Sequence, residues 1–548
     1  MPAVLRRVYA ARGITRVEGT RYRLANLVPP EALGGLDEAV ALLTRAIDNG
    51  QRILVVGDYD CDGATGTAVA VRGLRLFGAQ HVDFVVPHRM RHGYGLSAAL
   101  VDSLDSDPDL IVTVDNGIAS IDGVAAARAR GIAVLVTDHH LPGAELPQAQ
   151  AIVNPNLDGD GFPSKALAGV GVMFYLLLAL RAHWRRQERV SVTTQPDLST
   201  LLDLVAMGTV ADLVPLDYNN RLLVAAGLHR IRSGKANAGI VALAETSQRS
   251  LATLTSTDFA FALAPRLNAA GRLEDMTQGI ACLLSDDATE ARGMAERLSA
   301  INAERRQLQA DMVAEAEQMA GDVGRIEAVG VALFEPHWHA GVVGLVASKL
   351  KDRLYRPVIA FAPAGDEGQL RGSARSIPGF HMRDALAAVD ARHPGLIGRF
   401  GGHAMAAGLS LDAARLAEFA AAFDVVAREQ LGAQALQPVL WSDGELAPGD
   451  CTLELAQTLR YAGPWGQGFA APLFDNVFEC VSVRHMGVNH RRLQLRDPRD
   501  GACVDAVMFQ VPPDMDFPSP MRAAYELIVN DWNGRQSPRL VVRHIEAA

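Results

Sequence analysis

Three aspartates at alternate positions form the first group of residues that could do chemistry. Asp58, Asp60 and Asp62 lie in the segment Gly57-Asp-Tyr-Asp-Cys-Asp-Gly63, directly after the apolar run Ile53-Leu-Val-Val56. In an extended segment, side chains at alternate positions project to the same side. The sequence therefore predicts three carboxylates on one side of a loop, where they could bind a divalent cation.

Three further polar motifs each follow an apolar run. They are Val114-Asp115-Asn116-Gly117, Thr137-Asp138-His139-His140 and Gly208-Thr-Val-Ala-Asp212. Any one of these motifs is also typical of a solvated turn or a helix cap. Together, so many carboxylates would repel one another unless divalent cations neutralised them.

The types of side chain indicate which metal such a site would take. Carboxylate oxygens with one or two imidazoles suit Mn²⁺ or Mg²⁺, and the sequence has no paired cysteines for structural zinc. Two such ions can activate a water molecule and stabilise a leaving oxygen. The motifs therefore predict two-metal hydrolysis of a phosphoester.

Parallel strands are the elements that would bring these motifs together. Strand-like runs at 53–56, 110–114 and 132–136 alternate with helical stretches, which is the pattern of β-α-β units. Ligands bind beyond the carboxyl ends of parallel strands. We therefore predict an α/β fold whose sheet delivers the first three motifs to one edge.

The rest of the chain predicts three more parts. Apolar residues recur at steps of three, four and seven between 288 and 319, which indicates one long amphipathic helix. A second α/β pattern begins at 329–334, and short strand-like runs after about 438 indicate a small β-barrel. The predicted domains are a catalytic domain with an N-terminal extension (1–280), a helical linker (281–322), a second α/β domain (323–432) and the barrel (433–548).

Composition restricts the class of protein. The 548 residues exceed one ordinary domain, and 49% hydrophobic with 21% charged residues is typical of globular proteins. Five scattered cysteines indicate a reducing compartment, and no apolar run is long enough to span a bilayer. We therefore expect a cytoplasmic protein with no membrane partner.

Charge at first argues against a nucleic-acid partner, because the net charge is −10. Metal ions would neutralise the acidic motifs, however, and arginines elsewhere could still bind phosphates. Only four of the 52 basic residues are lysines. Arginine binds phosphate in a bidentate manner, although the codon bias of a GC-rich genome explains this excess equally well.

The four acidic motifs resemble the signature motifs of the DHH phosphoesterase superfamily, in the form found in its bacterial exonucleases for single-stranded DNA. Cys61 is a departure, since family members more often have alanine there. Further matches, in the family's order, are His92-Gly-Tyr-Gly-Leu96, Pro265-Arg-Leu-Asn-Ala-Ala-Gly-Arg272, Trp338-His-Ala-Gly-Val-Val-Gly344, Gly372-Ser-Ala-Arg-Ser376, Gly401-Gly-His-Ala-Met-Ala-Ala-Gly408 and Gly463-Pro-Trp-Gly-Gln-Gly-Phe469.

This resemblance implies a parallel-sheet DHH domain, a long connecting helix, a DHH-associated domain and a C-terminal OB-like barrel. It also implies two bound ions, with Asp115 bridging them. The implied metal ligands are Asp58, Asp60, Asp62, Asp115, His139 and Asp212.

Roles in catalysis are implied for His140, Asp58 and Asp138. His140 would meet the scissile phosphate or orient the attacking water, and Asp138 would fix a histidine tautomer. The alternative for His140 and Asp138 is a strand-end turn that hydrogen bonds hold in place.

Substrate-binding roles are implied for a second set of residues. Arg266, Asn268 and Arg272 would contact phosphates from a glycine- and alanine-rich turn, although the arginines could instead pair with interdomain carboxylates. In the DHH-associated domain, glycines would allow close approach of a phosphate. The residues implied there are Ser373, Arg375, Gly402 and His403.

Two further segments have open alternatives. His337 and His339 flank Trp338 and could stack on a base, but a packed helix start is the other interpretation. The basic window Arg484-His-Met-Gly-Val-Asn-His-Arg-Arg492 could bind a single strand on the barrel or form a solvated face.

The resemblance implies removal of mononucleotides from the 5′ end of single-stranded DNA, in bacterial recombination and repair near the nucleoid. Implied partners are single-strand-binding protein and a repair helicase, and a monomer would suffice. One alternative is a relative acting on short oligonucleotides, cyclic dinucleotides or pyrophosphate. Another is an inactive DNA-binding scaffold, which would have lost the acidic residues.

Overall fold

Runs of valine, isoleucine and leucine form a first, entirely parallel sheet. Its strands are β1 (Ile53–Val56), β2 (Val82–Val85), β3 (Leu110–Val114), β4 (Ala133–Thr137) and β5 (Ala151–Val153). The strand order is β2-β1-β3-β4-β5. Every residue of β3 is buried, as expected for a parallel sheet. The predicted parallel sheet is confirmed, and the segments after β1, β3 and β4 begin at one edge.

Helices surround this sheet. They are α1 (Ala3–Ala11), α2 (Leu36–Asp48), α3 (Cys61–Leu76), α4 (Ala98–Asp102), α5 (Ile121–Ala129), α6 (Gly169–Arg186), α7 (Leu202–Ala211), α8 (Tyr218–Arg232), α9 (Ala238–Thr246), α10 (Ser256–Asp258), α11 (Ala264–Leu273) and α12 (Thr277–Leu284), with a π-helical turn at Phe259–Leu263.

One helix of 34 residues, α13 (Ala288–Gly321), follows, as the sequence predicts. The computed structural model describes residues 1–88, 91–321, 328–365, 368–487, 489–512 and 515–548. These form two compact units, one of residues 1–299 with 441–548 and one of residues 300–440. The predicted boundary at 322/323 lies outside the described residues, and the four domain ranges stay predictions.

The second unit has a mixed sheet. Its strands are β6 (Val331–Phe334), β7 (Val358–Pro363), β8 (Gln369–Arg375), β9 (Arg399–Gly402) and β10 (Ala406–Asp412), in the order β6-β7-β8-β10-β9. Helix α14 (Val343–Leu354) packs on β7 and β8. The other face of the sheet shares a hydrophobic core with α15 (Met382–Arg392) and α16 (Leu416–Gln430).

A closed five-stranded barrel ends the chain, as predicted. Helix α17 (Leu453–Ala462) precedes β11 (Phe474–His485), β12 (Arg491–Arg496), β13 (Cys503–Met508), β14 (Met521–Trp532) and β15 (Arg535–Ala547). The barrel order is β11-β12-β13-β15-β14. Strands β11 and β15 have 12 and 13 residues.

The barrel and the parallel sheet belong to the same compact unit, and specific contacts join the segments that precede the barrel to helices around the sheet. The Tyr9 hydroxyl donates to the Ala462 carbonyl (2.7 Å), and Arg12 pairs with Asp443 at 2.7 Å. Ser256 Oγ donates to the Trp465 carbonyl at 2.7 Å. The N-terminal helix and the 463–469 segment therefore anchor the barrel to the part that carries the acidic motifs.

Candidate metal centre

The loop after β1 delivers the first three aspartates, but not as one extended segment. Asp58 accepts a hydrogen bond from the Tyr59 N–H (2.7 Å). Asp60 is the N-cap of α3 and accepts from the Gly63 N–H (2.9 Å). Asp62 lies in the first turn of α3. Because aspartate caps a helix well, α3 begins earlier than the alternation predicts, and only Asp58 and Asp60 precede it.

Asp62 is buried against the N-terminus of α6. Its carboxylate oxygens accept hydrogen bonds from the Gly169 N–H (2.6 Å) and the Val170 N–H (3.0 Å). A helix N-terminus favours negative charge, yet burial and the neighbouring Asp212 carboxylate raise the pKa of Asp62 to about 8. The ionised carboxylate is therefore unfavourable at neutral pH unless a cation lies beside it.

Asp115 follows β3 in a left-handed backbone conformation, with φ of 63°. This region costs a non-glycine residue free energy and is found often at functional sites. The side chain is only 2% exposed. Burial and the Asp62 and Asp60 carboxylates raise its pKa well above the ordinary value. Like Asp62, Asp115 lies where a cation would stabilise the ionised form.

The two histidines after β4 differ in protonation state. Asp138 Oδ1 lies 2.8 Å from His140 Nδ1, and Asp138 Oδ2 accepts from the Ile118 N–H at 2.8 Å. Burial opposes the charged form of His140, but the hydrogen bond to Asp138 and the negative charges of Asp138, Asp212 and Asp58 together outweigh burial and raise the pKa of His140 to about 9. Burial and the neighbouring His140 lower the pKa of His139. His139 therefore has the neutral form that binds metals, while His140 has the charged form that attracts a phosphate.

Three buried ligand atoms at this edge have no hydrogen-bond partner among the described residues: Asp115 Oδ1, His139 Nε2 and Asp212 Oδ2. His139 Nε2 lies 3.1 Å from Asp115 Oδ1 and 3.5 Å from Asp212 Oδ2, but these approaches lack hydrogen-bond geometry. Buried polar atoms without partners are rare because each is costly. Two carboxylates and a neutral imidazole that face one another fit a divalent cation.

The potential ligands form three overlapping sets, and within each set the ligand atoms lie within 4.8 Å of one another. In the part of the chain that the structure describes, no arginine or lysine pairs with Asp60, Asp62, Asp115 or Asp212. The sets are Asp58 with Asp60 and Asp115, Asp62 with His139 and Asp212, and Asp115 with His139 and His140. The structure therefore brings together all the predicted metal ligands.

Three residues without a role in the sequence-based prediction also contact this centre. The Tyr94 hydroxyl donates to the Asp115 carbonyl (3.1 Å), and its ring meets the His140 ring edge-on at 6.0 Å. Asn154 donates to the His140 carbonyl (2.9 Å), and Asn156 donates to the His139 carbonyl (2.6 Å). Tyr94 belongs to a family-like motif, whereas no sequence signal marks the two asparagines.

The residues predicted in a glycine- and alanine-rich turn belong instead to helix α11, so the turn prediction is wrong. Alanine favours helix, and a proline occupies the first turn. The Asn268 side-chain oxygen accepts from the Cys61 N–H (2.8 Å) beside the metal ligands. Arg266 donates to Ser299 Oγ (2.9 Å), and Arg272 lies in the last turn of α11.

Ser373 and Arg375 lie together in the second unit. An Arg375 Nη donates to Ser373 Oγ (3.1 Å) and to the Ala374 carbonyl (2.8 Å). A Cβ at Gly344, in the first turn of α14, would lie 2.9 Å from Ser373 Oγ and 3.0 Å from an Arg375 nitrogen. Burial lowers the pKa of Arg375, and among the described residues no carboxylate pairs with it. This cation at a helix N-terminus is suited to bind an anion.

Gly402 and His403 form the turn between β9 and β10, at the end of β8 that carries Arg375. Gly402 has φ of 141°, and a Cβ there would collide with the Ala406 carbonyl oxygen. The His403 N–H donates to the same carbonyl (2.8 Å), and Ala406 is the register partner of Arg375. The structure therefore brings His403 near Arg375, while the candidate metal ligands belong to the other compact unit.

Trp338 is 3% exposed, and its indole N–H donates to Glu315 (2.9 Å). His337 contacts the same Glu315 oxygen at 2.8 Å. Because the indole is buried, the structure favours the packed start of α14 over the interpretation in which this segment stacks on a base.

The basic window of the barrel spans the end of β11 and the start of β12, and residue 488 lies outside the described residues. Arg484 is the register partner of Arg492, and His485 that of Arg491. Arg492 pairs with Asp505 at 2.7 Å, and Arg491 is buried. Pairing and burial therefore reduce the exposed positive charge of this window.

Comparison with known families matches three segments of the chain. The DHH family N-terminal domain matches residues 52–209, the DHHA1 domain residues 327–429 and the RecJ OB domain residues 442–544. A single-stranded-DNA-specific exonuclease RecJ of Dickeya dadantii is 49% identical over 557 residues, covering 100% of this chain and 96% of that protein.

Solved structures show the same likeness. The crystal structure of RecJ from Thermus thermophilus in complex with Mn²⁺ superposes with a TM-score of 0.82 at 32% identity, covering 100% of this chain and 76% of that one. The Mg²⁺ complex of RecJ from the same organism gives a TM-score of 0.77 at 31% identity, with coverage of 100% and 74%.

Proposed function

The chain belongs to the RecJ family of single-stranded-DNA-specific exonucleases, and on that premise we propose that it removes mononucleotides from the 5′ end of single-stranded DNA by metal-dependent hydrolysis. Its setting would be DNA recombination and repair. The observation that carries the proposal is the group of three buried ligand atoms without partners in the described residues, Asp115 Oδ1, His139 Nε2 and Asp212 Oδ2.

Two Mn²⁺ or Mg²⁺ ions fit the overlapping ligand sets. Asp62, His139 and Asp212 would hold one ion, and Asp58 with Asp60 would hold the other. Asp115 belongs to sets on both sides and would bridge the ions. When bound, such ions lower the pKa of a water molecule and stabilise the leaving oxygen.

His140 would act on the phosphate rather than on a metal ion. Its hydrogen bond to Asp138 keeps the ring charged and fixes Nδ1 toward the carboxylate, so that Nε2 is available to a phosphate oxygen. The Tyr94 hydroxyl oxygen lies 3.5 Å from this Nε2, and Tyr94 would help to orient the His140 ring. Asp58, in the loop after β1, would assist in activating the attacking water.

Phosphate binding in the second unit would rest on Ser373, Arg375, Gly402 and His403. Arg375 supports this role because it is a half-buried cation beside a helix N-terminus with no carboxylate partner in the described ranges. Arg266 and Arg272 would contact phosphates from α11. Asn268 would act indirectly, since its bond to Cys61 fixes the start of α3 between two metal ligands.

Partners and location are inferred from the family. We expect single-strand-binding protein and a repair helicase as partners, activity as a monomer, and a place near the bacterial nucleoid. Among the described residues, no helix has the length and apolar composition needed to cross a bilayer.

Two alternatives are less well supported. Small-molecule phosphodiesterase activity would not explain a matched OB domain at 442–544. An inactive scaffold would not explain why every predicted ligand is present and the ligand atoms converge.

End-labelled DNA tests the proposed activity directly. With Mn²⁺, a 5′ label on a single strand should leave at once as a mononucleotide, while a 3′-labelled strand should shorten progressively. A blunt duplex and metal-free samples serve as controls and should stay intact. Release of the 3′ label first would contradict the proposed polarity, and hydrolysis of only a dinucleotide or pyrophosphate would contradict the substrate.

A further inference from the structure

On the face of the second unit's sheet that α14 contacts, α14 covers β7 and part of β8, and exposed or half-buried residues continue from β8 across β10 and β9. In β8 the buried residues Leu370, Gly372 and Ala374 alternate with exposed or half-buried Arg371, Ser373 and Arg375. In β10, buried residues 407, 409 and 411 alternate in the same way with 406, 408 and 410. The buried set packs with α15 and α16, so the remaining set faces away from those helices.

The register arranges this open set in rows across β8, β10 and β9. Ser410 is opposite Arg371 on one side and Arg399 on the other, which makes an Arg-Ser-Arg row. The next row consists of Ser373, Gly408 and Gly401. Neighbouring strands are about 4.8 Å apart, so the two arginines of the first row begin roughly 10 Å apart.

The row of Ser373, Gly408 and Gly401 has no large side chain, and we call Gly401 and Gly408 the glycine floor. Gly401 and Gly408 are exposed and have no side chains, and a Cβ built at Gly401 would meet no atom within 4 Å. Arg375 and the His403 turn lie along one side of this floor, and Arg371 and Arg399 lie along the other. Rows are roughly 6.6 Å apart, which is comparable with the separation of phosphates in an extended single strand.

The arginines of this face are not neutralised. Arg371 and Arg399 are exposed, and neither forms an ion pair within the described ranges. The one carboxylate of β10, Asp412, lies beyond the Arg-Ser-Arg row, where it caps the Ala414 N–H (2.9 Å). Exposed arginines on a solvated face commonly alternate with acids, whereas this face is basic along two rows.

We infer that this face binds the sugar-phosphate backbone of the single-stranded substrate, with Arg371 and Arg399 contacting phosphates beyond the one held at Arg375. The chain of the nucleic acid lies over the glycine floor, where no side chain keeps it away. Guanidinium groups bind phosphates in a bidentate manner and read no base, which suits an enzyme that acts on any sequence. The inference rests on the proposed function and extends its phosphate site.

Salt-dependent binding tests the inference. The full chain and an Arg371→Gln/Arg399→Gln double variant are titrated with a fluorescent oligothymidylate in metal-free buffer, so that nothing is cut. Each lost phosphate contact should make the slope of log K against log salt shallower by about 0.7, and the double variant by about 1.4. We expect its Kd to rise at least about tenfold, as for the loss of two charge-assisted contacts.

Two controls separate this effect from others. Arg383 of α15 is exposed and has no ion pair in the described part of the chain, so Arg383→Gln should keep the wild-type slope. The double variant should keep the wild-type Tm, since both arginines are exposed and have no ion pair in the described ranges, which shows that the fold is intact.

An unchanged slope and Kd in the double variant would overturn the inference. The binding assay requires no hydrolysis, so its result does not depend on the proposed activity. Failure of the proposed function has a different signature, namely a wild-type chain that cuts no single-stranded DNA with Mn²⁺.

Discussion

The metal centre and the uncovered sheet face differ in the sign of their charge and in their exposure. Around Asp115 and His139, the carboxylates of Asp62, Asp115 and Asp212 lie together with no arginine or lysine partner in the described residues, and divalent cations would balance them. Around Arg371 and Arg399, exposed arginines lie over a glycine floor without acidic partners in the described ranges. A metal-bound phosphodiester would complement the first region and a phosphate would complement the second, so we propose hydrolysis at the first region and binding at the second.

The largest expected effect comes from removing a metal ligand. Asp115→Ala should lower the rate of hydrolysis by more than the roughly 10- to 100-fold that the loss of an outer-shell partner costs, because it removes the carboxylate that we propose bridges the two ions. DNA binding should stay close to wild type, since the sheet face is intact. Initial rates and binding isotherms measure the two quantities.

An exposed aspartate provides the matched control. Asp102→Ala, at the end of α4, should change neither rate nor binding. Near-normal turnover in Asp115→Ala would contradict the place of Asp115 in the metal site, and with it the contrast between the two regions.

The next effect concerns the charged histidine. Asp138→Asn removes the carboxylate that raises the pKa of His140 to about 9, so that pKa should fall. If the protonated ring assists at the phosphate, activity is lost as pH rises through this pKa, and the alkaline limb of the pH–rate profile should move to lower pH. We expect kcat to fall by about 10²-fold or more, as for the loss of general acid–base assistance. The same limb in variant and wild type would contradict the role of the Asp138–His140 pair.

A smaller effect is expected in the second unit. His403→Ala should raise KM for single-stranded DNA several-fold with little change in kcat, because it removes a proposed phosphate contact and none of the proposed metal ligands. His393→Ala, at the end of α15 in the same unit, is a matched control. Unchanged KM in His403→Ala, or an equal loss of kcat, would contradict the division of roles between the two regions.

The smallest effect is a change in stability with pH. Burial raises the pKa of Asp62 to about 8 and that of Asp212 to about 7. In the metal-free protein, these groups stabilise the fold below their ordinary pKa, and this contribution is lost as pH rises through about 7 and 8. Mn²⁺ binds the ionised form, so the increase in Tm on adding Mn²⁺ should be greater above pH 8 than below pH 7. An increase that does not change with pH would contradict these titrations.

Much of the metal centre can be predicted from sequence because the carboxyl ends of parallel strands meet at one edge. This rule joins Asp58, Asp115 and His139 across more than eighty residues without any knowledge of packing. Details that depend on three-dimensional packing were not predictable. The Asn268 contact with Cys61 joins positions 207 residues apart, and helix capping placed Asp62 in α3 instead of a loop.

The open sheet face shows a different limit. Alternation in 369–375 and 406–412 can be read from the sequence once the strands are known, but the sequence does not give the strand order β8-β10-β9. Only the register places Arg371 and Arg399 in one row with Ser410. The turn predicted around Arg266 and Arg272 was wrong for a local reason. Alanine and leucine favour helix, and their effect exceeds the helix-breaking effect of the single glycine.

Anomalous diffraction from crystals soaked in Mn²⁺ tests the central claim most directly. We predict two peaks about 3.5 to 4 Å apart, one beside Asp62, His139 and Asp212 and one beside Asp58 and Asp60, with Asp115 between them. Crystals of Asp115→Ala should lose at least one peak. The absence of any peak at Asp115 in the wild-type crystal, or peaks only elsewhere, would contradict the two-metal centre.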